Sequence, residues 1–419
     1  MAEKKKTLII GAGVMGLCSA YYLHKKGHQV TVLEQSMGGL GASFVNAGYL
    51  TPSHIVPMAA PGVITKGLSM MLDPKSPFYI KPRWDIDFFK WAWAFHKSST
   101  KEKVDRAAPI IKDINLLSSK LYDEIKESGD LGDFHLEKKG LLMIYQTDAY
   151  GDAEKKVAAT AKGFGLEVTH LETDALRKLH GDTEVIGKGA LHYFCDSHTT
   201  PTVFMAKMKD YLLQNGVQIN YGEAVTKFDY TNGKIHTVQS DKQSYQPDNV
   251  VLASGSWSND LVKQLGLTLQ VQAGKGYCID VHRPTGIKLP AILMEAKVAI
   301  TPMDGFTRFA GTMEFSGVNY DINLDRVEAI AEAVRKFYPS IEITKAEINS
   351  AKCGLRPVSP DGLPYIGKMK AFDNFFITTG HAMMGWSLGP ATGKLISEVM
   401  EGEGTSMDIK PFDPERKFG

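Results

Sequence analysis

With 419 residues, 43% of them apolar, the chain can bury a large core and by length has room for two or three domains. Its 48 basic residues nearly balance 47 acidic ones, which argues against a nucleic-acid partner or a strongly charged substrate surface. No 18 apolar residues run together, which excludes an ordinary transmembrane helix, and MAEKKK leads straight into a strand, so no signal peptide is expected. Cys18, Cys195, Cys278 and Cys353 are far apart and show no metal-ligand spacing, so buried thiols in a reducing compartment, and no metal, are expected.

Thr7 to Glu34 reads as strand, glycine turn, helix and second parallel strand. Gly11, Gly13 and Gly16 stand in G-x-G-x-x-G spacing: the first allows the tight turn, the second lets backbone approach a pyrophosphate, the third lets helix and strand pack closely. The helix N-terminus, with Val14 and Met15 in its first turn, is then aimed at phosphates. Glu34 ends the second strand, where a carboxylate accepts both ribose hydroxyls and repels a 2′-phosphate, so FAD or NAD is expected. The small-residue loop Gln35 to Leu50 is too long for a turn; its apolar Phe44, Val45, Tyr49 and Leu50 favour a packed, ligand-facing path over a flexible surface loop.

Thr51 to Pro82 is rich in proline, glycine and methionine and predicts an irregular exit from the first domain. Trp84 to His96 predicts an aromatic helix with Trp84, Phe88, Trp91 and Phe95 on one face. Core packing is the favoured reading of that face, with a membrane-surface or partner helix kept open by Lys81, Arg83, Lys90 and Lys97. Helices around Ala107–Ser128 and Ala149–Phe164 flank a strand at Gly140–Tyr145, and Leu166–His170 reads as another strand. Thr200 and Pro201 give a helix cap and start, ending at Asn215-Gly216. Strands follow at Val217–Gly222 and Ala224–Tyr230, a hairpin turn at Asn232-Gly233 and a strand at Ile235–Gln239. Asn249 to Ser258 is an apolar strand running into a small-residue turn. From Gln270 to Met313 strand-like runs predict a mostly antiparallel sheet. Asn323 caps a helix over Leu324–Tyr338, Asn374–Thr379 is a buried strand, and a last helix runs from about Ser387 to Met400.

GAGVMG, Glu34, SFVNAG at 43–48, ASGSWS at 253–258, GLRPVSPDGLPYIG at 354–367 and TTGHAMMGWSLGPATG at 378–393 together resemble the D-amino acid oxidase superfamily of FAD-dependent oxidoreductases. Within it the pattern looks most like the branch of D-amino acid and hydroxyproline dehydrogenases. The resemblance spans essentially the whole chain. It implies FAD and an α/β fold, α+β overall: a Rossmann-like FAD-binding domain (1–55, 196–260, 350–419) with an interleaved substrate domain (56–195, 261–349) on a mostly antiparallel sheet. It also implies FAD contacts from Gly11, Gly13, Val14, Met15, Gly16, Glu34, Gln35, Ser43, Asn46, Ala47, Gly48, Leu50, Val225, Ala253, Gly255, Trp257, Gly354, Gly380, Met384, Gly385, Trp386 and Ser387. A single G-x-G-x-x-G agrees with electrons arriving from a small substrate rather than from a second nucleotide.

Arg356 can grip a substrate carboxylate bidentately. Residue context alone favours a structural ion pair with Asp361; matching the G-L/F-R-P motif of the resembled family reverses that preference. Tyr277 either lines the pocket or packs in its strand, and His381 is either a base or a hydrogen-bonding post beside the cofactor. Gly380–Gly393 is an ordinary strand-to-helix turn on its residues alone; the resemblance makes it a cofactor wall whose helix end faces the flavin. Oxidation by hydride transfer to flavin N5 needs positioning more than a strong base. Related oxidases carry a tyrosine where Ala299 stands and an arginine where Met383 stands. Those departures favour a dehydrogenase passing electrons to a quinone, with a glycine- or sarcosine-type oxidase using O2, or a flavin subunit that needs a partner, as alternatives. A cytoplasmic protein, in peripheral contact with the inner membrane, is the expected setting; the oligomeric state is left open.

Overall fold

The computed structural model of the chain describes residues 4–39, 41–60 and 76–418, so the middle of the irregular stretch expected at 51–82 lies outside the described residues. Strand Lys6–Ile10 pairs in parallel with Gln29–Glu34 on one side and Asn249–Leu252 on the other. Gln218–Tyr221 extends the first edge, and Phe375–Thr379 followed by antiparallel Tyr365–Lys368 extends the second. The helix Val14–Lys25 covers one face of this six-stranded sheet. Its central strands are apolar on both faces because helices and a small meander cover them.

A larger, nine-stranded and mostly antiparallel sheet stands beside the first. Its heart is Gln272–Val281, flanked by Phe306–Phe315 and Lys352–Val358. The helix Leu324–Phe337 packs Val327, Ile330, Val334 and Phe337 onto it, and Asn323 caps that helix by accepting from Asp325 N at 3.1 Å. Leu324, expected on the same face, is exposed. A third, three-stranded sheet of Tyr49–Leu50, Ser197–Thr199 and Leu136–Glu137 links the two halves. The Asn232-Gly233 turn has positive φ at both residues, 49° and 74°, the geometry of a tight hairpin.

The two-sheet arrangement places some segments differently from the sequence-derived boundaries. Lys101–Ser128, assigned to the substrate half, packs Ile111, Ile114, Leu121 and Tyr122 into the core around the first helix. Lys352–Val358, assigned to the nucleotide half, is an edge strand of the large sheet. A helix at Thr173–His180 and a strand at Gly189–Tyr193 went unread. Thr200 does not cap its helix with its side chain; its hydroxyl instead accepts from Asp304 N at 2.8 Å. Trp84 precedes the aromatic helix Ile86–Ser98 and is 98% exposed, while Phe88, Trp91 and Phe95 are buried. Cys195 is partly exposed; the other three thiols are buried and all four are free. Among the described residues no helix is long and apolar enough to cross a membrane.

Candidate cofactor and substrate cleft

A cleft with about 1450 Å³ of atom-free space, including its mouth, runs between the C-terminal ends of the parallel strands and the large sheet. The glycines of the first turn shape its floor. Gly11 sits at φ 109°, and a Cβ there would lie 2.6 Å from the Ala253 carbonyl oxygen. A Cβ on Gly16 would lie 1.8 Å from the Gly11 oxygen, so the helix can approach the strand only without a side chain at 16. Gly13 keeps its outer side clear except for Ser43 Oγ, which accepts from Val14 N at 3.0 Å and so takes one of the helix's first N–H groups.

Glu34 reaches into this turn. Its Oε2 accepts from Ala12 N at 2.9 Å, and Oε1 accepts from both Ser36 N and Ser36 Oγ. Three of roughly four lone-pair positions are thereby filled, so Glu34 retains one acceptor position for a ribose hydroxyl where the sequence suggested two. The loop 41–48 is pinned from the large sheet by Arg308, whose Nη1 donates to the carbonyls of Phe44 and Asn46 at 2.9 and 2.8 Å. Arg308 itself is buried against Asp280, 2.7 Å away, and that guanidinium holds the Asp280 carboxyl below the usual range against the opposing effect of burial.

Arg356 enters the cleft from the strand Lys352–Val358. Its guanidinium lies over Gly276, where a Cβ would meet Nη1 at 2.2 Å. Nη1 donates to the Thr312 carbonyl at 2.8 Å. Thr312 sits at φ 72° where the pairing of Phe306–Phe315 with its neighbour slips register, a β-bulge that turns this carbonyl toward the guanidinium. No carboxylate pairs with Arg356 among the described residues: Asp361, its expected partner, is held by Arg416 through two 2.8 Å bonds. Burial pulls the Arg356 pKa down to about 10, so the group remains cationic at neutral pH.

The wall opposite is Thr378–Trp386. His381 is buried, with Nε2 3.0 Å from Thr392 Oγ1, and burial alone pushes its pKa down to about 3, so it is a neutral ring. Its Nδ1 and the nearby Thr378 hydroxyl border the cleft without a hydrogen-bond partner among the described residues. The final helix starts at Gly389, two residues later than expected, and its Ala391 N–H is taken by Ser118 Oγ at 3.3 Å. Gly389 and Gly393 let that helix lie against Val14 and Cys18 of the first.

Of the sequence-derived positions, Gly11, Gly13, Val14, Met15, Glu34, Gln35, Ser43, Asn46, Val225, Ala253, Gly255, Trp257, Arg356, His381, Gly385 and Trp386 border the cleft. Gly16, Ala47, Gly48, Leu50, Gly354, Gly380, Met384 and Ser387 stand behind its lining. Gly354, for example, clears space for Val45, and the Ser387 hydroxyl accepts from Thr51 N. Tyr277 does not reach the cleft: it is buried on the other face of the large sheet, donating to Glu314 Oε2 at 2.8 Å. Strand alternation explains this, since Gly274 and Gly276 take the cleft-facing positions and Lys275 and Tyr277 the opposite ones. Phe44, expected on a ligand-facing path, lines the cleft, as do Ala42, Ser256, Tyr320 and Thr378, which were not singled out from sequence. For Gly276, the G-K-G triplet was the available signal.

The residues fit a flavin adenine dinucleotide. A glycine cradle lies at one end, an acidic side chain beside it, and unpartnered polar atoms at His381 and Thr378 lie farther along. A family model described as FAD dependent oxidoreductase, DAO, matches residues 6–399. A D-amino acid dehydrogenase of Neisseria meningitidis is 29% identical over 96% of this chain and 97% of its own. Among solved structures, glycine oxidase from Geobacillus kaustophilus superposes with a TM-score of 0.78 at 21% identity, covering 99% of this chain and 100% of that one. L-proline dehydrogenase from P. horikoshii gives 0.74 at 17% identity, covering 99% and 98%.

Proposed function

The chain belongs to the DAO family of FAD dependent oxidoreductases, and from that membership we propose that it oxidises an amino acid, of the D-amino acid or proline type, to the corresponding imino acid. The relatives' names support this substrate class. The observation that carries the reading is Arg356: a cation packed into the cleft with one backbone carbonyl for company and, among the described residues, no acid to neutralise it. A substrate carboxylate supplies the missing charge and accepts two N–H groups in parallel.

FAD, when bound, supplies the two-electron acceptor. Gly11, Gly13, Glu34 and Ser43 would hold its adenosine and diphosphate end, and Thr378, His381 and Trp386 would border its ring. Arg356 fixes the carboxylate and thereby the α-carbon; the Thr312 carbonyl and the space over Gly276 fix Arg356. Neutral His381 donates or accepts one hydrogen bond and is too weak a base to take a proton from an ammonium group. The substrate amine therefore enters unprotonated, and kcat/KM should rise with pH toward the pKa of that amine, without an enzyme limb near the ordinary histidine range.

The proposed electron acceptor is a quinone at a membrane surface. Support comes from Trp84, Ile86, Phe89 and Trp93, all exposed, with exposed Lys81, Lys90 and Lys97 around them. Anaerobic mixing with a panel of D- and L-amino acids tests the substrate reading: the flavin absorbance should bleach with at least one member, and an unchanged spectrum across the panel would overturn it. Reoxidation in air with stoichiometric peroxide would replace the quinone by O2. Failure to sediment with anionic vesicles would remove the membrane contact.

A further inference from the structure

The small sheet that joins the two halves gathers metal-ligating side chains that the proposed reaction does not use. His198 occupies its middle strand, with Tyr49 paired on one side and Glu137 directly opposite on the other. It has no exposed surface, and neither ring nitrogen has a hydrogen-bond partner among the described residues. The Pro302 carbonyl approaches the ring without reaching hydrogen-bond geometry. A buried ring with both nitrogens unpaired calls for an explanation, because buried polar atoms are rarely left so.

His135 meets that ring edge-on, with centroids 5.3 Å apart at 71°. Its Nδ1 lies 2.9 Å from Thr200 Oγ1, whose oxygen also accepts from Asp304 N. A hydroxyl oxygen has a second lone pair for the Nδ1–H, and that tautomer leaves the Nε2 lone pair free. Nε2 lies 4.0 Å from Glu137 Oε1, while Lys139 engages the other carboxylate oxygen. One ligand atom from each of His135, Glu137 and His198 lies within 4.8 Å of the other two.

We propose that His135, Glu137 and His198 form a site for a divalent transition-metal ion, Zn2+ foremost. Two imidazoles and one carboxylate suit zinc, whereas Mg2+ and Ca2+ require mostly oxygen ligands. Ligand atoms of a tetrahedral zinc site stand about 3.3 Å apart, as bonds of about 2.0 Å require. The partly exposed His135 and Glu137 must therefore close by roughly 1 Å onto fixed His198, and Lys139 must swing off the carboxylate. Water completes the coordination from the His135 side.

The site is coupled to the cleft through the next residue. Thr199 donates its N–H to the Gly48 carbonyl at 2.8 Å, and its hydroxyl accepts from the Trp386 indole at 2.7 Å. A metal on His198 would therefore restrain the strand that holds a cleft-lining tryptophan.

Tag-free, chelator-treated holoenzyme titrated calorimetrically with Zn2+ should bind one equivalent with a Kd in the micromolar range, and Co2+ should give the visible bands of a tetrahedral site. His135→Asn and Glu137→Gln, both at partly exposed positions, should each weaken Zn2+ at least about tenfold, with flavin content retained. The proposal is overturned if Zn2+ shows no saturable binding below about 1 mM, or if neither variant shifts an observed affinity. Should His198→Asn fail to fold, the two partly exposed variants decide the matter.

Discussion

The two ends of the cleft hold their charged groups in opposite ways. Glu34 is already satisfied by its own chain, accepting from Ala12 N, Ser36 N and Ser36 Oγ. Arg356 has one carbonyl and, among the described residues, no counter-ion. The first end is finished but for one acceptor position before any ligand arrives; the second is completed only by an anion. A cofactor that stays bound through many turnovers favours a preformed cradle, whereas a substrate that must leave favours a site whose strongest interaction exists only while it is there.

The largest effect expected from breaking this contrast is at Gly16. A Gly16→Ala side chain would sit 1.8 Å from the Gly11 oxygen, inside any tolerable contact, and that oxygen is backbone in the turn itself. Overpacking of this kind costs about 1–3 kcal/mol or more, so the purified variant should be nearly colourless and unfold well below the parent. Normal absorbance near 450 nm relative to 280 nm would show that the turn is not built as described.

Arg356 ranks second and should separate the two ends cleanly. Arg356→Ala should keep its flavin and raise KM for the amino acid by roughly 100-fold or more, since losing one partner of a desolvated charge pair costs about 3–5 kcal/mol. Arg356→Lys should recover only part of this, because a point charge cannot make two parallel bonds. The pKa sign sharpens the test. A base whose folded pKa, about 10, lies below its usual value destabilises the fold whenever pH is below that value. Arg356→Leu without substrate should therefore melt above the parent at neutral pH, with the gap narrowing as pH rises through about 10. A lower melting temperature would mean that the guanidinium is paid for within the fold.

Gly276→Ala is the third test. The added methyl would meet Nη1 at 2.2 Å and Nη2 at 2.4 Å, and the guanidinium is the movable partner. KM should rise about tenfold, equivalent to about 1.4 kcal/mol, with stability and flavin content little changed. An unaltered KM would show that Arg356 need not lie over Gly276 to bind substrate.

The same contrast governs how much could be read from sequence. Gly11, Gly13, Gly16 and Glu34 act within one strand-helix-strand unit, so spacing along the chain reported spacing in space; five strands of that sheet were legible as apolar runs between turns, whereas Tyr365–Lys368 was not read as a strand. At the other end, Arg356 was legible as a residue but its setting was not. Gly276 faces it only because Gln272–Val281 pairs with Lys352–Val358 in one register. The Thr312 carbonyl comes from a third strand, 44 residues away. Tyr277 was open to lining the pocket or packing in its strand, and a one-residue alternation turned it to the far face. The helix Lys101–Ser128 was read from Ala107 and assigned to the substrate half, although it packs into the core around the first helix, because amphipathicity says that a face is buried and not which core buries it.

Thr312 provides the smallest test and the most specific one. A β-branched residue at φ 72° is unfavourable by itself, at about 1–2 kcal/mol for the left-handed region, and here it sits in the strand whose bulge points a carbonyl at Arg356. Glycine takes that φ without strain but also loses more entropy on folding, roughly 0.5–1 kcal/mol relative to alanine. The two terms nearly offset, so Thr312→Gly should shift the melting temperature by no more than a few degrees and leave KM within about twofold, because the carbonyl stays where it is. Thr312→Pro keeps the carbonyl but fixes φ near −65°, which removes the bulge geometry, and it should raise KM toward the Gly276→Ala value. If glycine and proline at 312 behaved alike, the left-handed turn would be an incidental feature of the sheet, and the Arg356 guanidinium would owe its position to Gly276 alone.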